Sequence, residues 1–397
     1  MNDFYFDLFD RDPGREGTGA IKWDAREAVF GRADIVPLWV ADMDFPTAPA
    51  ITDALIARAS HPTYGYTAHP ESERIAQVNW FKRRHHVALD PDWILYSPGV
   101  VDSMVFALRA LTEPCDRVLV QPPVYGPFFS TVRNTGRTLR HNPLIETADG
   151  YRMDFEDMRR ALRDDGVRIM LLCNPHNPVG RVWTADEIAK VCALADEYGA
   201  TIVVDEIHAD FALRSATMTH FIEHADPDRL VVLTSATKTF NLAGLRQSSA
   251  IIPNDQLRQK IAEQLEFACA GSPNIFGALA QKTAYEAGGE WLDHLIDYLS
   301  DSRDYAERTI AETLPEIKCH HLEGTYLMWL DFRALNMNQA SLKRFLYDEA
   351  RAGLQDGAFF GEQGNGFMRL NIGTQRKNIA QALESIRAAI DKRGKHA

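Results

Sequence analysis

Chemically versatile side chains follow several apolar, β-branched runs in the middle of the chain. Asp205 comes directly after the run Thr201–Val204, and Lys238 follows the run Leu230–Thr234 in a Ser/Thr-rich turn. Ligands bind beyond the carboxyl ends of the strands in open α/β sheets, so we expect such residues to converge on one face. The complete set combines amides, an aromatic, an acid, a lysine and a glycine loop: Ser97–Val101, Tyr125, Asn174–Gly180, Asp205 with His208, and Ser235–Lys238.

These residue types suit a ligand that is both an aldehyde and a phosphate ester. A lysine amine forms a Schiff base with an aldehyde, and an acid can hold a pyridine nitrogen in its protonated form. Gly99, Val100 and Val101 open an apolar-periodic stretch that runs to Leu111. Their amides are therefore predicted to lie at a helix N-terminus, which attracts anions. The set matches the needs of a pyridine aldehyde phosphate.

Each residue also has a simpler structural explanation, which stays open at this point. An isolated loop lysine is usually solvated, and an aspartate at a strand end usually caps a turn. Asn177 can serve the turn that its flanking prolines predict, and Tyr125 can be a core tyrosine. The acidic string can also be read as a metal cluster, although no distal ligand motif supports it: Asp205, Glu206, His208 and Asp210.

The elements that must position these residues alternate between strand and helix patterns. Short β-branched runs occur at Arg117–Gln121, Ile169–Cys173, Thr201–Val204, Leu230–Thr234 and Ala250–Ile252. Such alternation is typical of a mostly parallel sheet covered by helices. One intervening helix is predicted in detail, with a capping box of Thr184 and Glu187 at its start and Gly199 just beyond its end.

The sequence pattern changes after about Gly288. A long amphipathic stretch, Trp291–Leu314, precedes a strand at Tyr326–Asp331, a helix near Ala340–Gly353, and a strand–helix pair from Phe367 to Ile390. This pattern predicts a smaller α+β domain. We expect an N-terminal segment (1–48) that joins the small domain, a large domain (49–287) and a small C-terminal domain (288–397).

Composition narrows the function classes. The 43 Lys and Arg against 55 Asp and Glu give a net charge of −12, which argues against a nucleic-acid partner. No apolar run approaches the roughly 20 residues that span a bilayer, so no membrane partner is expected. The start of the chain lacks a basic leader, which predicts the cytoplasm. The 5 cysteines form no CxxC pair, so neither a disulfide framework nor a structural zinc site is expected.

Four motifs occur in the order and spacing of one known family. They are NPHNPVG at Asn174–Gly180, VDEIHAD at Val204–Asp210, SATK at Ser235–Lys238 and MRLNIG at Met368–Gly373. On these motifs the chain resembles the pyridoxal-phosphate (PLP) enzymes of the aspartate aminotransferase fold, known as fold type I. Four further strings resemble the C–S lyase branch, the cystathionine β-lyases of the MalY/PatB type: Lys22–Asp24, Trp39–Phe45, Tyr64–Tyr66 and Lys238–Leu245. The resemblance covers nearly the whole chain.

The resemblance implies a role for each matching residue near the cofactor ring. Lys238 is implied as the Schiff-base lysine, which also removes the Cα proton, and Asp205 as the acid that pairs with the pyridinium nitrogen. Asn177 is implied to donate its amide to the 3′ oxygen of the ring, with His208 near the same oxygen. Tyr125 is implied to stack on the ring.

The resemblance also assigns the phosphate and the substrate. The implied phosphate ligands are the amides of Gly99, Val100 and Val101, the Ser235 hydroxyl, the Arg246 guanidinium, and a tyrosine lent by a dimer partner, Tyr66 or its neighbour Tyr64. Arg369 is implied to bind the α-carboxylate of the substrate bidentately, beside Asn177 and Tyr125. The segment Trp39–Phe45 and the loop near Tyr326 are implied to line the side-chain pocket.

The function implied by this branch is β-elimination. Cystathionine or a related cysteine S-conjugate would yield a thiol, pyruvate and ammonia, and the active unit would be a homodimer with shared sites. Two alternatives stay open: a class I/II aminotransferase that uses the same Cα carbanion, and a PLP-fold protein whose main role is regulatory binding.

Overall fold

The computed structural model describes residues 3–394, which form a mixture of strands and helices. The strands are β1 (Val36–Leu38), β2 (Ile94–Ser97), β3 (Arg117–Val120), β4 (Thr138–His141), β5 (Ile145–Thr147), β6 (Gly150–Arg152), β7 (Ile169–Cys173), β8 (Thr201–Asp205), β9 (Leu230–Thr234), β10 (Ser248–Ile251), β11 (Lys318–Cys319), β12 (Leu327–Asp331), β13 (Ala352–Asp356) and β14 (Phe367–Asn371).

The helices flank these strands. They are α1 (Asp3–Asp10), α2 (Ile21–Asp24), α3 (Arg26–Phe30), α4 (Pro49–Ala59), α5 (Glu71–Trp80), α6 (Val100–Leu111), α7 (Pro127–Asn134), α8 (Phe155–Arg163), α9 (Ala185–Tyr198), α10 (Ala236–Thr239), α11 (Asp255–Phe267), α12 (Ile275–Ala287), α13 (Gly289–Thr313), α14 (Gln339–Arg344) and α15 (Arg376–Gly394). No helix within residues 3–394 is long and apolar enough to cross a membrane.

A seven-stranded sheet carries the sequence runs that were predicted as strands. Its order is β2-β10-β9-β8-β7-β3-β4. Only β10 runs antiparallel to its neighbours, so the sheet is mostly parallel. All five residues of β7 and of β9 are buried, as expected where helices cover both faces of a parallel sheet. The predicted α/β class is confirmed.

Parallel pairing brings the chemically versatile residues to one edge of this sheet. Cys173, the last residue of β7, pairs with Asp205 at the end of β8. Asp205 in turn pairs with Leu233 near the end of β9. The NPHNPVG loop, the acidic string and the lysine turn therefore leave the sheet side by side.

Helix α9 begins and ends at the signals that the sequence contains. The Thr184 hydroxyl accepts the Glu187 N–H, and the Glu187 carboxylate accepts the Thr184 N–H. Gly199 ends the helix in the left-handed region, with φ of 66°. The predicted capping box and glycine cap are confirmed.

A second sheet of five strands has the order β1-β13-β14-β12-β11. Its edge strand β1 comes from the N-terminal segment and pairs in parallel with β13. The N-terminal segment thus contributes one strand to this sheet, and its assignment to a small domain stays a prediction. The boundaries proposed at 48 and 287 stay predictions.

The prediction of one helix near Ala340–Gly353 is wrong in its last four residues, 350–353. Helix α14 ends at Arg344 and is followed directly by a single π-helical turn, Phe345–Glu349. Arg351 then adopts φ of 55°, which breaks the helix, and the chain enters β13. Pairing of β13 with β1 and β14 on both sides satisfies its backbone, a gain that local propensity does not reveal.

Candidate active site

A cavity of about 340 Å³ opens at the carboxyl edge of the large sheet. This volume is within the range of small-molecule cofactor sites, about 300–1,000 Å³. Nine residues predicted from the sequence line it: Gly99, Val100, Val101, Tyr125, Asn177, Asp205, His208, Lys238 and Arg246. Ser235, Arg369 and Tyr66 are not part of the lining.

Lys238 and Asp205 face the same cavity from neighbouring turns. Burial lowers the pKa of Lys238 to about 8, an effect that Arg369 reinforces and the carboxylates of Asp42 and Asp205 oppose. Burial raises the pKa of Asp205 to about 7, although the Ile207 N–H donates to its Oδ1 at 3.0 Å. The cavity thus holds an amine and a carboxyl group that both titrate near neutral pH.

Asn177, which lines the cavity, is hydrogen-bonded to Arg369, which does not. Nη1 of Arg369 donates to Oδ1 of Asn177 at 2.9 Å, which leaves the Asn177 amide NH₂ for another acceptor. Nη2 of Arg369 donates to the Trp39 carbonyl at 2.9 Å, and the guanidinium lies 4.8 Å from the Phe360 ring centroid. Its Nε is buried without a hydrogen-bond partner among residues 3–394. Burial lowers the pKa of Arg369 to about 10, so the group is cationic at neutral pH.

His208 presents a neutral imidazole to the cavity. Burial, Lys238 and Arg369 hold its pKa well below the ordinary value for histidine. Its Nδ1 is buried and has no hydrogen-bond partner in the part of the chain that the structure describes. A neutral ring with a free nitrogen is suited to pair with a polar ligand atom.

The opposite end of the cavity carries the features of an anion site. Helix α6 begins at Val100, and its first backbone hydrogen bond runs from the Ser103 N–H to the Gly99 carbonyl at 2.9 Å. The preceding amides of the helix therefore remain available to a ligand. Arg246 lies beside this terminus and donates to Oδ2 of Asp102 at 3.0 Å.

The structure turns Ser235 away from the cavity. Its hydroxyl donates to the Gln247 carbonyl at 2.6 Å and accepts the Thr237 N–H at 3.0 Å, which makes it the N-cap of α10. Thr237 and Gln247 line the cavity instead. The SATK string contains both hydroxyls, and the one at Ser235 is occupied in capping α10.

Tyr64 and Tyr66 lie outside the cavity of their own chain. The Tyr64 hydroxyl donates to the Ala59 carbonyl at 2.5 Å, and its ring lies 6.0 Å from that of Phe276. Tyr66 is fully exposed and makes no hydrogen bond or ring contact within residues 3–394.

The acids of the VDEIHAD string point in different directions. Glu206 accepts a hydrogen bond from Nδ1 of His220 at 2.6 Å, whereas Asp210 pairs with Nε2 of His85 at 2.9 Å. Asp210 also accepts the hydroxyl of Thr239, next to the lysine, at 2.7 Å. In the described part of the chain, no group of three or more His, Cys, Asp or Glu side chains could hold a metal ion.

The segment Trp39–Phe45 supplies a contact that sequence reasoning missed. The Ala41 carbonyl accepts Nζ of Lys238 at 2.5 Å and the Tyr326 hydroxyl at 3.0 Å. Ala41 also lines the cavity. The sequence marks this segment as part of the site, but a main-chain acceptor leaves no signal in residue type.

The residues present fit pyridoxal phosphate. The partially deprotonated amine of Lys238 suits the aldehyde, the Asp205 carboxyl suits a pyridine nitrogen, and the start of α6 suits a phosphate. The unpartnered Nδ1 of His208 adds a buried polar atom that a bound ring oxygen can satisfy.

Comparison with known proteins agrees with this fit. Residues 33–386 match the family model described as aminotransferase class I and II. The chain is 40% identical to cystathionine β-lyase PatB from Bacillus subtilis (strain 168), covering 96% of this chain and 99% of PatB. It is 33% identical to protein MalY from Escherichia coli (strain K12), covering 94% and 97%. Among solved structures, cystalysin from Treponema denticola contains a pyridoxal 5′-phosphate cofactor. It superposes with a TM-score of 0.93 at 32% identity, covering 97% of this chain and 98% of cystalysin.

The chain therefore belongs to the class I and II aminotransferase family and to its C–S lyase branch, with PatB and MalY. Its cofactor is PLP. The family, the fold type and the cofactor predicted from the sequence are confirmed.

Proposed function

We propose that this protein is a PLP-dependent β-lyase that cleaves the carbon–sulfur bond of cystathionine or a related cysteine S-conjugate. The products are a thiol, pyruvate and ammonia. The observation that carries the proposal is the placement of Lys238 and Asp205 in one cavity, in a chain that is 40% identical to a cystathionine β-lyase along nearly its whole length.

Lys238 performs the proton transfer in this proposal. Its pKa of about 8 leaves a fraction of the amine neutral at pH 7, so it can join the cofactor aldehyde and, once displaced, take the Cα proton on Nζ. Bound PLP supplies the electron sink for the pair left at Cα. Asp205 keeps the ring nitrogen protonated, and that cation in turn favours the ionised carboxylate.

Asn177 and Arg369 orient the substrate and the ring. The bond between them leaves the Asn177 amide free to donate to the 3′ oxygen of the ring. The unpartnered Nε of Arg369 is available to the α-carboxylate. Tyr125, whose side chain lines the cavity, supplies the aromatic face for stacking.

The remaining site residues bind the phosphate. The amides of Gly99, Val100 and Val101 donate to it, and Arg246 exchanges its contact with Asp102 for one with the phosphate. Thr237 lines the cavity and can contribute a hydroxyl, while the Ser235 hydroxyl accepts the Thr237 N–H. We keep the homodimer and the cytoplasmic location as predictions.

An aminotransferase is the second candidate, since the matching family model bears that name. The two activities differ in their need for a keto acid. We expect the purified protein to release pyruvate and a thiol from cystathionine for many turnovers without added keto acid. A transaminase would stop after about one turnover per site, because its cofactor would remain in the amine form. That outcome would replace the lyase assignment.

A further inference from the structure

Asn371 holds the main chain on both sides of Ala41. Its Nδ2 donates to the Val40 carbonyl at 2.6 Å and to the Asp42 carbonyl at 2.7 Å. The carbonyl between them, on Ala41, is the one that accepts Nζ of Lys238. Because peptide groups are planar, fixing the two flanking carbonyls restricts rotation of the peptide between them.

The orientation of the Asn371 amide is itself fixed. Its Oδ1 accepts the Gly373 N–H at 2.7 Å, so the NH₂ group must face the segment Trp39–Phe45. A Cβ atom on Gly373 would lie 3.0 Å from this oxygen and 2.8 Å from Cγ of Met43. The glycine therefore permits the close approach of the loop after β14 to the N-terminal segment.

The Ala41 carbonyl can fix the direction of the lysine amine. A neutral amine has one lone pair, so holding one N–H on a rigid acceptor limits where that lone pair points. The carbonyl has two acceptor positions, and Lys238 and the Tyr326 hydroxyl use them. The charged and titratable groups that act on or face Lys238 are Asp42, Asp205, His208 and Arg369.

We propose that Asn371 is a positioning residue for Lys238. By donating hydrogen bonds to the two flanking carbonyls, it fixes the direction of the Ala41 carbonyl. That carbonyl then accepts the lysine amine whenever the amine is not bonded to the cofactor. The proposal rests on the proposed function only in giving Lys238 the amine chemistry.

The test uses cofactor-free protein and does not depend on turnover. The rate of acetylation of Lys238 by acetic anhydride is measured from pH 6 to 10 by peptide mass spectrometry. In Asn371→Ala, we expect the midpoint of this profile to fall by about one pH unit, because a carbonyl that is no longer held favours the ammonium form less. The matched control is Gln375→Ala, whose amide donates to the Asp44 carbonyl of the same segment at 2.6 Å and which should keep the wild-type midpoint.

Two further variants make the test decisive. Asn371→Ser replaces the alanine variant if that variant does not fold. Serine keeps one donor, so it should shift the midpoint in the same direction by a smaller amount. Tyr326→Phe removes the competing donor and should raise the midpoint. An unchanged midpoint in folded variants of Asn371, an equal shift in Gln375→Ala, or no rise in Tyr326→Phe would overturn the proposal. Failure of the wild-type protein to release pyruvate would instead overturn the proposed function and leave this profile unaffected.

Discussion

Burial brings the pKa values of the two central ionisable residues close together. The pKa of Asp205 rises to about 7 and that of Lys238 falls to about 8. Within residues 3–394, neither group has an ion-pair partner within hydrogen-bond distance, so both are held at an electrostatic cost. In the proposed roles of the two residues, a cationic ring nitrogen held by Asp205 and a covalent bond formed by Lys238 would each relieve part of this cost.

Replacing Asp205 by Asn tests the role of the acid. A neutral amide cannot hold the pyridine nitrogen in its protonated form, so the electron sink weakens. We expect kcat to fall about 100-fold or more, close to 3 kcal/mol of transition-state stabilisation. The change in KM should be much smaller. Steady-state kinetics with cystathionine measure both constants, and a near-wild-type kcat would favour a structural role for the acid.

The lowered pKa of Lys238 predicts how cofactor uptake depends on pH. Only the neutral amine attacks an aldehyde, and with a pKa of about 8 roughly a tenth of it is neutral at pH 7. The rate of reconstitution of the cofactor-free protein with PLP should therefore rise with pH and level off above about 8. The visible absorbance of the bound cofactor follows this rate. A rate that climbs toward pH 10, as for an ordinary lysine, contradicts the predicted environment.

At the scale of elements, β14 is hydrogen-bonded to the N-terminal segment that contributes Ala41 to the site. Arg369 and Asn371, two residues apart on this strand, both donate to carbonyls of the segment Trp39–Phe45. Alternate residues of a strand share one face, so a single strand carries both the proposed carboxylate ligand and the residue proposed to position the lysine.

Arg369→Lys tests the carboxylate ligand on this strand. Lysine keeps the charge but loses the planar fork, so binding of the substrate carboxylate should weaken. We expect KM for cystathionine to rise about 10- to 100-fold, with a smaller change in kcat. Arg393→Lys is the control: this arginine pairs with Glu349 on the surface and should leave both constants unchanged. Unchanged KM in Arg369→Lys would remove the residue from the substrate site.

Nine of the residues predicted from the sequence line one cavity, because strand ends have a recognisable sequence signal. Asp205 and the lysine turn follow apolar runs, and parallel pairing then brings them together. Strand β13 was missed because its stability comes from pairing on both edges. The Ala41 contact was missed because it is made by the main chain. Ser235 was predicted to face the cavity, but its hydroxyl caps α10, and Thr237 lines the cavity instead.

At the scale of the whole molecule, the exposed ring of Tyr66 is the feature that favours a dimer. The ring is fully exposed in one chain, whereas Tyr64 packs against its own chain. An isologous dimer would give each subunit one such tyrosine to lend. We therefore favour Tyr66 over Tyr64 as the residue that reaches the phosphate of the other subunit.

A mixing experiment tests the shared site. Lys238→Ala and Tyr66→Phe subunits are each expected to be strongly impaired. After subunit exchange, each hybrid dimer contains one site with an intact Lys238 and an intact Tyr66 from the other chain, so part of the lyase activity should return. A fully active monomer by light scattering, or no recovery despite demonstrated hybrids, would show that the sites are not shared.

The most direct test of the central claim is to locate the covalent bond between cofactor and chain. The PLP-loaded protein is reduced with borohydride, digested, and analysed by peptide mass spectrometry. We expect the pyridoxyl group on Lys238 alone, and Lys238→Ala should lose both the trapped cofactor and nearly all pyruvate release. A trapped cofactor on another lysine, or a reducible bond that persists in Lys238→Ala, would contradict the account of this site.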